Sequence, residues 1–323
     1  VTLKPLAPSE VQLSVAGNFG KPRAMTEADI QDVIARFART AAVLKVAGFD
    51  GVQIHSAHGY LLSQFLSPRT NRRGDRWGGS LEDRARLLSE VVRVVRASVG
   101  PDYPVSVKLN SADFVKGGFT LDECLQVVGW LSEAGIDVLE SSGGTYEQIE
   151  FFKAHDRAEI RDSTHQREAT FLKYAKAIKA VANMPVMITG GIRSRAGMEA
   201  ALREGQTDLI GVARPFCLDP DFPRRMLAGV LPILPVPEDR LVLGTGWRGP
   251  NSGSGTMRAF NNQAHAGWYY HQIKGLGAGL APQPELSPWR ALVGHFSDDF
   301  GRAIARRRAL KEWPQAGGRP SKV

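Results

Sequence analysis

The sequence predicts an α/β fold, a TIM-type (β/α)₈ barrel of which about five of the eight βα units can be traced. Three observations predict it. Apolar strands alternate with amphipathic helices five times between residues 26 and 213, the rhythm of a parallel sheet with helices outside it. No strand is followed by a G-x-G-x-x-G turn opening a helix, which weakens an open doubly wound sheet. The polar groups cluster just after strand ends, where a barrel builds its mouth.

Residues 1–25 carry several Pro and Gly and little periodicity, so they read as loop. Thr26, with Asp29 three residues on, opens a helix as its N-cap. Ile30, Val33, Phe37, Ala41 and Leu44 recur at helical spacing, and Gly48 ends the run. Gly51–His55 is a short apolar strand. After a long loop, Ser80 and Asp83 cap a second helix bearing Leu87, Val91, Val95 and Val99. Pro104–Asn110 is the next strand. Its alternation puts Val105, Val107 and Leu109 on one face and Ser106, Lys108 and Asn110 on the other. Thr120 with Glu123 caps a third helix, and Ile136–Glu140 is a strand. A helix over Glu168–Ala182, a strand over Pro185–Thr189, a helix over Arg195–Glu204 and a strand over Asp208–Ala213 complete the series.

Eight strands close such a barrel and five are found. Three N-terminal units of about 30 residues each are the missing ones. The chain also opens on Val1, so an incomplete protein, from a truncated gene or misplaced start, is the expectation. Residues 1–229 then form the barrel portion, strands four to eight. Residues 230–323 form a Gly/Pro-broken extension with helices near Met257–Lys274 and Asp298–Lys311.

The formal net charge is +8. Seven of the last 23 residues are basic against one acid, Glu312, so six of those eight charges lie on a C-terminal tail. A basic tail without a basic face argues against nucleic acid as partner. No apolar run reaches the roughly 18 residues of a membrane span, and no secretory signal is legible. Cys124 and Cys217 are the only cysteines. They cannot ligate an iron–sulfur cluster, which takes about four, and they read as small core residues in a reducing, cytoplasmic setting. The sequence leaves homo-oligomers open.

The densest chemistry follows the first strand. His55 stands at its C-terminal end, with His58 and Tyr60 in the loop. Two imidazoles can bind a carbonyl, phenolate or nitro oxygen, and a phenol beside them can deliver a proton. A zinc pair is the competing reading, but no Glu lies between the histidines as in a metalloprotease helix and no third ligand is evident. The stretch from Gly48 to Arg86 contains His55-Ser-Ala-His58-Gly-Tyr60-Leu-Leu, then Gln64-Phe-Leu-Ser-Pro68, Asn71, Arg73, Asp75, Gly78-Gly79-Ser80 and Arg84. This resembles the long, specific signature of the Old Yellow Enzyme family, also called the NADH:flavin oxidoreductase/NADH oxidase family.

The resemblance implies an FMN-dependent oxidoreductase (EC 1, ene-reductase type) that takes hydride from NADH or NADPH. It passes the hydride to an activated alkene or similar small molecule. His55 and His58 would bind the acceptor's electron-withdrawing group and Tyr60 would be the proton donor. Asn71 to Arg86 would be structural. Lys108, on the inner face of its strand, needs a partner, and a reduced flavin would supply one. Most of the family has Arg there, so Lys108 is a departure that alters contact geometry. Gly190 and Gly191 after one strand, with Ala213 and Arg214 after the next, suit a phosphate, and the resemblance assigns them to FMN. Ser141–Glu147 resembles a loop shaping substrate access; a plain tight loop serves equally. Two other readings stay open: a catalytically impaired barrel fragment, and a Schiff-base lyase using Lys108.

Overall fold

The computed structural model describes residues 4–13, 20–142, 174–190 and 192–312. The described chain divides into two compact units. One is residues 2–213 with 223–234; the other is residues 214–222 with 235–323.

The first unit is a five-stranded, all-parallel sheet. Its strands are β3 (Val52–Ser56), β4 (Val105–Asn110), β5 (Val138–Ser142), β6 (Val186–Thr189) and β7 (Leu209–Gly211), paired in chain order. Two-residue strands β1 (Leu6–Ala7) and β2 (Arg23–Ala24) pair in parallel ahead of it. They lie in the stretch read as loop, because two residues are too short to show a period. Helices α1 (Glu27–Val46), α2 (Leu61–Leu66), α3 (Leu81–Val99), α4 (Leu121–Glu133), α5 (residues 174–179) and α6 (Arg195–Arg203) occupy the connections. A sequential parallel order with a helix between strands is an arc of a (β/α)₈ barrel, five strands of eight.

The helix starts follow from local chemistry. Thr26 Oγ1 accepts from the Asp29 N–H while the Asp29 carboxylate accepts from the Thr26 N–H at 2.8 Å, a reciprocal capping box. Thr120 and Glu123 do the same for α4. Ser80 caps α3 through the Asp83 N–H. Each satisfies donors that the first helical turn leaves open. The short helix α2 falls inside the expected long loop.

One face of the sheet carries the core. Val105, Val107 and Leu109 of β4, Ile54 of β3, Leu139 of β5 and Val186 and Ile188 of β6 are all 2% exposed or less. All but Ile188 cluster with Ile30 and Ile34 of α1, Leu87, Leu88, Val91 and Val95 of α3, and Cys124, Val127, Val128 and Leu131 of α4. Burial pushes the Cys124 thiol up to about 12, so it is an inert apolar residue. The other sheet face is polar: Gln53 and His55 on β3, Ser106 and Lys108 on β4, Glu140 on β5. Gln53 and His55 are exposed. A parallel sheet ordinarily buries both faces. Here the uncovered side is the one that would look into a barrel.

The loop before α3 is tied down as expected. Asn71 Nδ2 donates to the Phe65 and Trp77 carbonyls at 2.7 and 2.8 Å. Arg73 reaches the Pro8 and Met25 carbonyls. Buried Arg84 donates to the Leu66 carbonyl and pairs with Glu123, joining α2, α3 and α4. Residues 232–234 return to this unit: Leu234 N–H donates to the Arg193 carbonyl and Arg195 N–H to that of Pro232.

The second unit is built on α7 (Gly255–Gly277) and α8 (Pro288–Glu312). The latter begins ten residues before the expected Asp298, since Pro288 takes the N-terminal position where its missing N–H costs nothing. A Cβ on Gly267 would lie 2.7 Å from the Ala291 carbonyl oxygen, so glycine sets the close approach of these helices. Trp268 is fully buried, its Nε1 donating to the Leu286 carbonyl at 3.0 Å.

Candidate active site

The site grows from the C-terminal end of β3. Parallel register places His55 beside Lys108, and Lys108 beside Glu140. These three residues form one row across three strands on the polar face. The Lys108 Nζ donates to Glu140 Oε1 at 2.7 Å. Gln53 Nε2 donates to the other carboxylate oxygen at 2.8 Å. The Lys108 side chain is 17% exposed and that of Glu140 7%. Burial favours the neutral acid at Glu140. Hydrogen bonds from Lys108 and Gln53, with the Lys108 charge, outweigh it and hold the group below the usual range, so it is a carboxylate at neutral pH. Sequence reasoning looked to a flavin for the partner Lys108 needs; within the chain, Glu140 supplies an ion pair. Glu140 and Gln53 were missed as site members. Their signal was the period-two alternation, which puts Gln53 on the face of His55.

Beyond β3 the chain turns sharply. His58 has φ +59° and Gly59 φ +75°, a left-handed pair that is uncommon for a non-glycine residue. Asn110, at the end of β4, holds it there: its Oδ1 accepts from the His58 N–H at 3.1 Å. His58 Nε2 lies 2.6 Å from Ser142 Oγ at the end of β5. Three successive strand ends thus fix one imidazole. Strained backbone held by its surroundings gathers at functional sites.

The result is a cluster. The His55 and His58 rings are 5.4 Å apart and edge-on; the His55 and Tyr60 rings are 5.0 Å apart. Burial, then the Lys108 charge, lowers the His58 imidazole to about 4. Partial burial of a ring that stays open to solvent on one side, then Lys108, lowers His55 too, with Glu140 opposing. Both rings are neutral at pH 7 and can each donate one N–H to an acceptor oxygen without carrying charge. Tyr60 is half exposed and stands at the N-cap position of α2, without a side-chain capping bond. It also lines a pocket of about 280 Å³, walled by Leu6, Val11, Leu13, Ser63 and Gln64 among others.

Gly190 follows β6 with φ +110°, and Ala213 follows β7, both in the first unit. Gly191 and the loop residues 143–147 lie outside the described residues. Arg214 lies in the second unit, where it pairs with Glu238 at 2.7 Å.

Comparison with known proteins decides the family. Residues 4–231 match the model of the NADH:flavin oxidoreductase / NADH oxidase family. The chain belongs to that family, the Old Yellow Enzyme family. Relatives include an NADH oxidase of Thermoanaerobacter brockii, 40% identical over 227 residues, which are 70% of this chain and 33% of that protein. The NADH-dependent flavin oxidoreductase nadA of Aspergillus parasiticus is 40% identical over 239 residues, 72% of this chain and 52% of that one. Among solved structures, a 2-naphthoyl-CoA reductase complex with 2-naphthoyl-CoA aligns with a TM-score of 0.62 at 31% identity. It covers 71% of this chain and 34% of the other. A morphinone reductase mutant bound to tetrahydroNAD aligns at 0.55 and 25% identity, over 73% and 63%. The chain therefore spans about a third to a half of these curated relatives' length. FMN is the cofactor named by the family model, and NADH or NADPH the reductant in the names of its members.

Proposed function

We propose that this chain carries the acceptor half of an NAD(P)H-dependent flavin ene-reductase. The supporting observation is the convergence of His55, His58 and Tyr60 at one strand end, one strand away from Lys108. The polar face suits FMN: Lys108 would hold the flavin ring and offer it positive charge, with Gln53 and Glu140 as polar groups beside it. Gly190, Gly191 and Ala213 are proposed for the phosphate. FMN, once reduced by NADH or NADPH, supplies the hydride.

The chain's own residues do the rest. His55 and His58, both neutral, hold the oxygen of an α,β-unsaturated carbonyl and stabilise the charge that grows there. Tyr60 gives its hydroxyl proton to the α-carbon as hydride reaches the β-carbon, so the alkene gains one hydride and one proton. The Schiff-base lyase reading weakens, because an ammonium ion-paired with Glu140 has no lone pair to attack a carbonyl.

The test separates the two half-reactions by stopped flow. Tyr60→Phe is expected to slow alkene reduction by about 10²-fold or more, with NAD(P)H-driven flavin reduction within a factor of about two of wild type. Equal loss in both half-reactions would remove Tyr60 from the proton-donor role.

A further inference from the structure

We propose that Glu140 is a positioning residue for Lys108, a two-point clamp that fixes the ammonium on the site face and sets the charge a bound flavin meets. The inference rests on the flavin reading of the site and deepens it. Three observations carry it. First, the carboxylate uses both oxygens, Oε1 for Lys108 at 2.7 Å and Oε2 for Gln53 at 2.8 Å. A carboxylate bonded on both oxygens has one orientation. A lysine on a four-carbon stem otherwise samples many. Second, the register His55–Lys108–Glu140 runs straight across three parallel strands. The acid is one strand beyond the lysine, on the same face, and the acceptor-binding imidazole one strand before it. Third, Glu140 is a buried acid on a side chain 7% exposed. Such a group is costly unless paired, so its presence opposite Lys108 has a specific geometric effect.

The consequence is electrostatic. Lys108 alone would present a full positive charge to N1 and O2, where reduction places negative charge. Paired with Glu140 it presents a dipole with its positive end forward. That lowers the driving force for reducing the flavin and leaves the reduced cofactor a stronger hydride donor. It also moderates the lysine's effect on His55. Glu140 therefore sets a balance between accepting hydride from NAD(P)H and giving it to the acceptor.

The FMN-loaded full chain provides the test, with two readouts. The midpoint potential of bound FMN is expected to rise in Glu140→Gln and fall in Lys108→Met, with Glu140→Asp restoring part of the wild-type value. Independently of flavin, the His55 titration followed by NMR is expected to move down by about half a pKa unit in Glu140→Gln and up in Lys108→Met. The double variant should lie nearer Lys108→Met than the sum of the two opposite shifts, since Glu140 acts through the lysine. Glu140→Gln protein that is folded, holds FMN and leaves both the potential and the His55 midpoint at wild-type values overturns the clamp. If the wild-type chain takes up no FMN while His55 still responds, the flavin reading fails and the clamp geometry stands. Should Glu140→Gln fail to fold, Glu140→Asp and Lys108→Met decide by the same two shifts.

Discussion

His58 concentrates the residue-scale argument. Its ring is partly buried beside Lys108 and His55, which lowers it to about 4; an imidazole in an unfolded chain titrates near 6.5. Between those values the unfolded chain binds a proton that the folded one refuses. Stability is therefore level above about pH 6.5, falls as pH drops from 6.5 to 4, and levels again below. The effect of this one group is at most about 3 kcal/mol, less what solvent screens. His58→Asn should remove much of that slope. Asn tolerates the left-handed backbone at this position and does not titrate. Urea denaturation of both proteins at pH 7 and pH 5 measures it. A slope in His58→Asn equal to that of wild type would mean that the imidazole is charged in the folded chain. The same variant separates roles: acceptor affinity should weaken while the backbone turn, held by the Asn110 Oδ1 bond to the residue 58 N–H, persists.

At the scale of elements, the helix starts and the buried strand faces were legible, because both are short-range. A capping box spans three residues, and β4 declares its faces by alternation. Register was not legible. The Lys108–Glu140 and His58–Ser142 pairs join residues 32 and 84 apart, and only sheet pairing brings them together. β5 shows why its bounds shifted from Ile136–Glu140 to Val138–Ser142. Asp137 accepts from the Val105 N–H and pairs with Arg96, so residues 136–137 form the approach to the strand. Its polar end, Ser141-Ser142, is buried although its composition reads as loop. Arg84 tests the element scale. Its side chain is 6% exposed and links α2, α3 and α4 through the Leu66 carbonyl and Glu123. Arg84→Ala strands Glu123 and two helix ends, and should cost roughly 3 kcal/mol. Arg93→Ala, removing a 67%-exposed partner of Glu90 on the same helix, should stay within about 0.5 kcal/mol. Equal losses would show that Arg84 acts as helix surface. Thr26→Ala, which deletes one half of the α1 capping box, should cost about 1 kcal/mol by the same measurement.

For the whole molecule, the division into two units raises the question of where the barrel portion stops. The five-strand arc was readable from the rhythm of the sequence. The return of residues 223–234 to it was not, since Leu234 and Ile233 reach back to Arg193 and Ser194 from a Pro-rich stretch with no period. The physical distinction between these neighbours is sharp: Leu234 is 1% exposed and Ile233 62%. If residues 232–234 are an integral strap of the first unit, Leu234→Ala in the full chain should destabilise that unit by about 2–4 kcal/mol through lost burial and the cavity left behind. Ile233→Ala should change it by less than about 0.5 kcal/mol. Tryptophan fluorescence distinguishes the units, since Trp77 and Trp130 belong to the first and Trp247, Trp268 and Trp289 to the second, the sixth, Trp313, lying outside the described residues. Single-tryptophan versions of the chain would assign each transition. A loss in Leu234→Ala confined to the Trp268 signal would place the strap in the second unit and move the edge of the barrel portion back toward residue 222.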